Sequence, residues 1–183
     1  MDEPYVHKIF INKVTQDINN EIWLSKSGLT KEESPDLDRA VMAYPIKHYT
    51  HWNDEIEGNV MEPGEIGENF SVLEMDEYHV FIGDSYRIGD AIIQVSEPGS
   101  IGNLPSKIGL KTGWYYRVLK EGIVKAGTDM ELIERPYPEW SITACNEVMH
   151  VFKDDLRTAD DLVSCSLLSN RWKRALKKRL RGF

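Results

Sequence analysis

Apolar and polar positions alternate along Ala91-Ile92-Ile93-Gln94-Val95-Ser96, placing Ala91, Ile93 and Val95 on one face and Ile92, Gln94 and Ser96 on the other. A period of two predicts a strand with one largely buried face. The runs Lys8 to Val14 and Ile22 to Leu24 read the same way, and the polar cluster Asp17 to Asn20 between them predicts an opening hairpin. Trp114 to Leu119 and Met130 to Glu134 add two more strands. Ile-Gly-Asp occurs twice, from Ile82 and from Ile88, and marks tight corners because glycine accepts positive φ without a Cβ penalty. Short strands joined by such corners predict a mainly β fold, a barrel or a sandwich.

Elsewhere the period changes. Pro45, Tyr49, Trp52 and Ile56 follow helical spacing, with Pro45 suited to open a helix and Gly58 to stop it. Residues 25–38 are polar and interrupted by Gly28 and Pro35, a surface loop. Arg135-Pro136-Tyr137-Pro138 resists both helix and ladder pairing. It divides the chain into a barrel domain, residues 1–135, and a C-terminal three-helix domain, residues 136–183. The three helices are predicted over Ile142 to Phe152, Thr158 to Cys165 and Ser169 to Leu180. Ser141 or Thr143 would cap the first, Thr158 with Asp161 resembles a capping box for the second, and Ser169 would cap the third.

Charge sharpens this picture. The chain of 183 residues carries a net charge of −8, yet residues 171–183 hold seven Lys or Arg and no acid. The body is therefore more acidic than the total shows, which argues against a nucleic-acid partner. The tail's stripe of Leu168, Trp172, Ala175, Leu176 and Leu180 reads as a docked amphipathic helix with its cations outward. No apolar run approaches the ~20 residues that span a bilayer, and the acidic Met1-Asp2-Glu3-Pro4 is unlike a secretory signal, so a cytoplasmic protein without a membrane partner is expected. Cys145 and Cys165 make no disulfide framework and read as reduced core thiols.

Several spaced motifs carry a resemblance. Gly67-Glu68-Asn69, Ile82-Gly83-Asp84, Gly89 to Ala91 and Gln94-Val95-Ser96-Glu97-Pro98 occur in order, flanked by Asp38-Arg39-Ala40-Val41 with Tyr44-Pro45 and by Thr112-Gly113-Trp114-Tyr115 with Arg117-Val118. This pattern resembles the MOSC domain family, which implies a closed or partly open β-barrel, and the tail resembles the three-helix extension of one bacterial branch. The resemblance implies binding of molybdenum cofactor (molybdopterin) or a related anion, in support of sulfur transfer or of reductase chemistry such as reduction of N-hydroxylated compounds. Carried over by motif, the cofactor-binding candidates are Asp38, Arg39, Tyr44, Glu68, Asn69, Trp114 and Arg117; none is a catalytic residue and no metal ligand is assigned.

The chain departs from the family pattern at two places. The family's cysteine falls on Gly102 and its arginine on Gly99, and the His-Gly-Gly triplet is replaced by Ser34-Pro35-Asp36. Sulfur transfer needs a thiolate, and glycine offers none. The resemblance thus implies a family member without sulfur-transfer chemistry. A non-catalytic module that keeps only the fold and binds a small anion or a protein is the alternative. Whether the chain is an enzyme, and whether it self-associates, stay open. His48 and His51 share a predicted helix face but lack a third ligand at metal-site spacing. The acids from Asp54 to Glu77, Glu68 and Glu77 among them, read as solvated surface.

Overall fold

The computed structural model describes residues 3–29, 36–55, 58, 60–100 and 110–182. Gly102 and the Ser34-Pro35 pair lie outside them. The fold is mainly β. Its strands are β1 (Tyr5–Ile11), β2 (Val14–Thr15), β3 (Ile22–Leu24), β4 (Val41–Pro45), β5 (Phe70–Leu73), β6 (Ser85–Ile88), β7 (Ala91–Pro98), β8 (Trp114–Lys120), β9 (Gly122–Val124) and β10 (Met130–Glu134). Its helices are α1 (Lys47–Glu55), α2 (Ile142–Asn146), α3 (Leu156–Val163) and α4 (Asn170–Leu180).

Eight strands form one sheet in the order β10-β6-β7-β8-β4-β5-β1-β2, antiparallel except for the parallel pair β4 and β5. The sheet curls on itself. Val6 N–H donates to Thr128 O at 3.1 Å and Met130 N–H to Pro4 O at 2.8 Å, stitching β1 to the entry of β10 at the far end of the strand order. The opening hairpin differs from expectation. β1 turns directly into β2 through Asn12 and Lys13, whose φ values of 49° and 65° suit a two-residue turn, whereas β3 pairs with β9 in a separate small sheet. Pro45 ends β4 rather than opening α1, which begins at Lys47.

Strand β7 is buried on both faces, against the one-sided expectation. Ile93 and Val95 face the apolar core, and Gln94, Ser96 and Glu97 on or beside the polar face are also buried. The C-terminal helices supply the cover: Ser169 N–H donates to Ser96 O at 2.9 Å, and α2 packs on β7. The apolar cluster runs without a break from β7 and β8 into Ile142, Cys145, Leu162, Trp172 and Leu176.

The caps explain where these helices begin. Ser141 Oγ accepts from Ala144 N–H at 3.0 Å to start α2, and Ser169 Oγ accepts from Trp172 N–H at 3.2 Å to start α4. The cap of α3 is Asp155, earlier than expected, and it holds both the N–H and the hydroxyl of Thr158. α2 widens into a π-helical turn at Glu147–Val151. Arg179 of α4 donates to the carbonyls of Val148 and Met149 in that turn, at 2.7 and 2.6 Å. In α4, Trp172 and Leu176 are buried as the stripe predicts, but Ala175 is exposed.

Candidate functional site

The charged residues singled out in the sequence meet in a seam between the sheet and the C-terminal helices. Asp38 sits in a short 3-10 turn, Leu37–Arg39, and accepts from Arg117 Nε of β8 at 2.7 Å. Arg117 also donates to Gln94 Oε1 and to Leu167 O, each at 2.8 Å. Arg39 forks onto Glu97, with Nε and Nη2 at 3.4 and 3.2 Å, and its guanidinium lies 4.5 Å from the Tyr115 ring centre. Glu97 is fully buried, and burial pushes its carboxyl up against the opposing pull of Arg39.

The other candidates fix backbone. Asn69 Oδ1 accepts from Met42 N–H at 2.9 Å and its amide reaches Phe10 O at 3.3 Å, clamping β4 and β1 at the start of β5. Glu68, 1 % exposed, accepts from the Tyr49 hydroxyl at 2.6 Å and from Gly64 N–H at 2.9 Å, so it ties α1 to the loop before β5. Burial, reinforced by this bond, pushes the Tyr49 phenol far up. Trp114 is wholly buried in the core. Glu68 and Glu77 are therefore not solvated surface, which corrects the reading of that acidic stretch.

A second constellation was not assembled by sequence reasoning. A cleft of about 520 Å³ opens between α1, the segment around Leu110 and Lys111, and α2. Lys47, His48, His51, Glu77, Lys111 and Glu147 are among its lining residues. His48 Nε2 lies 2.8 and 3.0 Å from the two oxygens of Glu77, and both residues are buried. Glu77 Oε1 also accepts from Gly113 N–H at 2.9 Å, and Glu77 O from Thr143 N–H at 2.9 Å. Tyr44 backs this pair: its ring meets His48 edge-on at 5.3 Å, and its hydroxyl accepts from Trp52 Nε1–H at 2.8 Å and donates to Lys111 O at 3.0 Å. Lys47 Nζ reaches Asp76 at 2.7 Å, and His79 Nδ1 lies 2.6 Å from the same carboxylate. Burial pushes the Asp76 carboxyl up, but Lys47 and His79 together hold it below the usual range. His48 and Glu77 are 29 positions apart, and nothing local announces their meeting.

Position 99 is closed. A Cβ on Gly99 would collide with the carbonyl oxygen of Thr112, while Gly99 N–H donates to Gly113 O at 2.9 Å. No side chain fits there without displacing the entry of β8.

A MOSC domain model matches residues 25–100. The chain is 32% identical to protein YiiM of Escherichia coli over 184 residues, covering 88% of this chain and 81% of that protein. The chain belongs to the MOSC domain family. The crystal structure of Escherichia coli YiiM superposes with a TM-score of 0.85 at 28% identity, covering 99% of this chain and 94% of that one. A Gibberella moniliformis protein named Reductase is 31% identical over 154 residues, which is 73% of this MOSC chain but 28% of that protein.

The family is associated with molybdenum cofactor, and the donors present here can be tested against it. A soft thiolate ligand to molybdenum has no source in the described residues of the cleft. Both cysteines are buried in the helical extension, and burial pushes each thiol up, for Cys145 with Cys165 adding to it. The donor set does not fit a thiolate-bound metal. Among the described residues no three His, Cys, Asp or Glu side chains are placed to hold a metal ion, and no helix is long and apolar enough to cross a membrane.

Proposed function

We propose that this MOSC protein holds a small anionic ligand in the cleft between α1, Lys111 and α2, without covalent attachment, and performs no cysteine-based sulfur transfer. The observation that carries the reading is the lining itself: Lys47, Lys111, His48 and His51 converge on the cleft, and of the three acids that also line it Asp76 is matched to Lys47 and His79 and Glu77 to His48, while Glu147 stands on α2's π-helical turn and neither thiol of the chain is among the lining residues. Lys47 spends one of its three donors on Asp76, and Lys111 Nζ makes no ion pair with another described residue. Molybdenum cofactor enters this reading through its phosphate, an anion, rather than through a bond from cysteine to metal. The buried pairs of the seam support it indirectly, since Arg39 and Arg117 are committed to protein acceptors and leave the anion to the cleft.

Protein purified from a cofactor-producing host tests this by elemental analysis for molybdenum, pterin fluorescence and persulfide detection. The expected result is no persulfide and no molybdenum retained through gel filtration. A persulfide on Cys145 or Cys165, or stoichiometric molybdenum that survives Lys111→Met, overturns the reading.

A further inference from the structure

A second pocket lies along β3 and shares no lining residue with the cleft. Its volume is about 620 Å³, and Gln16, Asn20, Glu21, Trp23 and Ser25 are among the residues that line it. The alternation of the strand decides what reaches solvent there: Ile22 and Leu24 are buried and anchor β3, so Glu21 and Trp23 share the opposite face and stand exposed. Trp23 keeps 56 % of its surface in water, beside the partly exposed Ile123 across the ladder, whereas Trp52, Trp114 and Trp172 are buried. Glu21 makes no ion pair and no side-chain hydrogen bond with another described residue, and Lys125, next after the Val124 that faces Ile22, makes no ion pair either. Ser25 and Ser27 bond to each other, and Ser25 also to Gly28 O, so the far end of the pocket is internally satisfied.

The lining holds one carboxylate and no Lys, Arg or His. The face of an indole carries partial negative charge and attracts a cation laid over it. Glu21, two positions along the same strand face, adds a full charge of the same sign. We propose that this pocket binds a small organic cation of the quaternary alkylammonium class, its methyl groups stacked on Trp23 and its charge opposed by Glu21. A primary ammonium is compact and strongly hydrated. A quaternary one spreads its charge over an apolar surface, so it covers the exposed indole at little cost in hydration. The site is distinct from the anion cleft and does not depend on that reading.

Titration calorimetry of the full chain with choline and with its uncharged carbon isostere 3,3-dimethylbutan-1-ol, at matched ionic strength, tests the proposal. Choline is expected to bind about tenfold or more tightly than the alcohol, the contribution of a cation over the ring together with one opposed carboxylate. Trp23→Leu keeps an apolar side chain but removes the ring, and Glu21→Gln removes the charge. Each is expected to narrow the ratio between the two ligands by about threefold or more. Equal affinity for the two ligands, binding of neither, or a ratio that survives both substitutions overturns the proposal and leaves the anion reading of the cleft as it stands. The ratio measured on the unaltered protein decides the matter even where a variant fails to fold.

Discussion

The seam and the cleft are built from the same residue types and differ in what is left unpaired. In the seam each guanidinium meets a carboxylate: Arg39 is matched to Glu97 and Arg117 to Asp38, with Gln94 and a backbone carbonyl each taking a further Arg117 donor. In the cleft, Glu77 is matched to His48 and Gly113, but His48 Nδ1 has no partner among the described residues. Charge that is matched on every side holds a structure together, whereas a cleft whose lysines have donors to spare is open to a ligand. Motif resemblance placed candidates in both regions, Asp38, Arg39 and Arg117 in the seam and Tyr44 behind the cleft.

The largest effect that would separate the two regions is expected from Arg117→Met. It strands Asp38 and Gln94 beneath the C-terminal helices, and urea denaturation should show a loss of about 3 kcal/mol, as for breaking a largely buried pair from one side. Phosphate binding should persist in the folded fraction. Loss of binding with unchanged stability would make Arg117 a ligand and erase the contrast. Gly99→Ala comes next, because its methyl group must push aside the Thr112 carbonyl at the mouth of β8. Overpacking of this kind costs about 1–3 kcal/mol, read from the thermal midpoint. A neutral outcome would show that this contact can open, leaving room for the arginine that the family pattern puts there.

The smallest effect concerns Asp76 at the rim of the cleft. Its carboxyl is held below the usual range, so the unfolded chain takes up its proton first as pH falls. The stability it contributes is present above the ordinary aspartate range and is lost as pH drops through the lowered folded value. Asp76→Asn should therefore lower the neutral denaturation midpoint slightly and flatten the acid limb, so that the variant and the unaltered protein converge at low pH. An acid limb as steep as that of the unaltered protein would show that the Lys47 and His79 contacts do not hold in solution.

Much of the fold was legible because its signals are local. The alternation at Ala91 to Ser96, the glycine corners at Gly83 and Gly89, and the caps Ser141 and Ser169 each act within a few residues. Reading failed where local signals compete or partners are distant. The turn at Asn12 and Lys13 was masked by the more polar cluster after it, and Asp155 displaced Thr158 as a cap because its carboxylate satisfies both Thr158 groups at once. The burial of Gln94, Ser96 and Glu97 depends on helices that arrive some seventy residues later.

The sequence by itself determined the β grammar, the helical tail, the family and the absence of cysteine at position 102, since each is written in contiguous residues. Only the tertiary structure decided which charges are matched and which are not. Asp38 and Arg117 lie 79 positions apart, Arg39 and Glu97 58, and Glu77 is brought to His48 by the packing of α1 against the loop that follows β5. Pairing across such distances depends on the register of strands and the docking of helices. That is why identical residue types became a structural seam in one place and the lining of an open cleft in another.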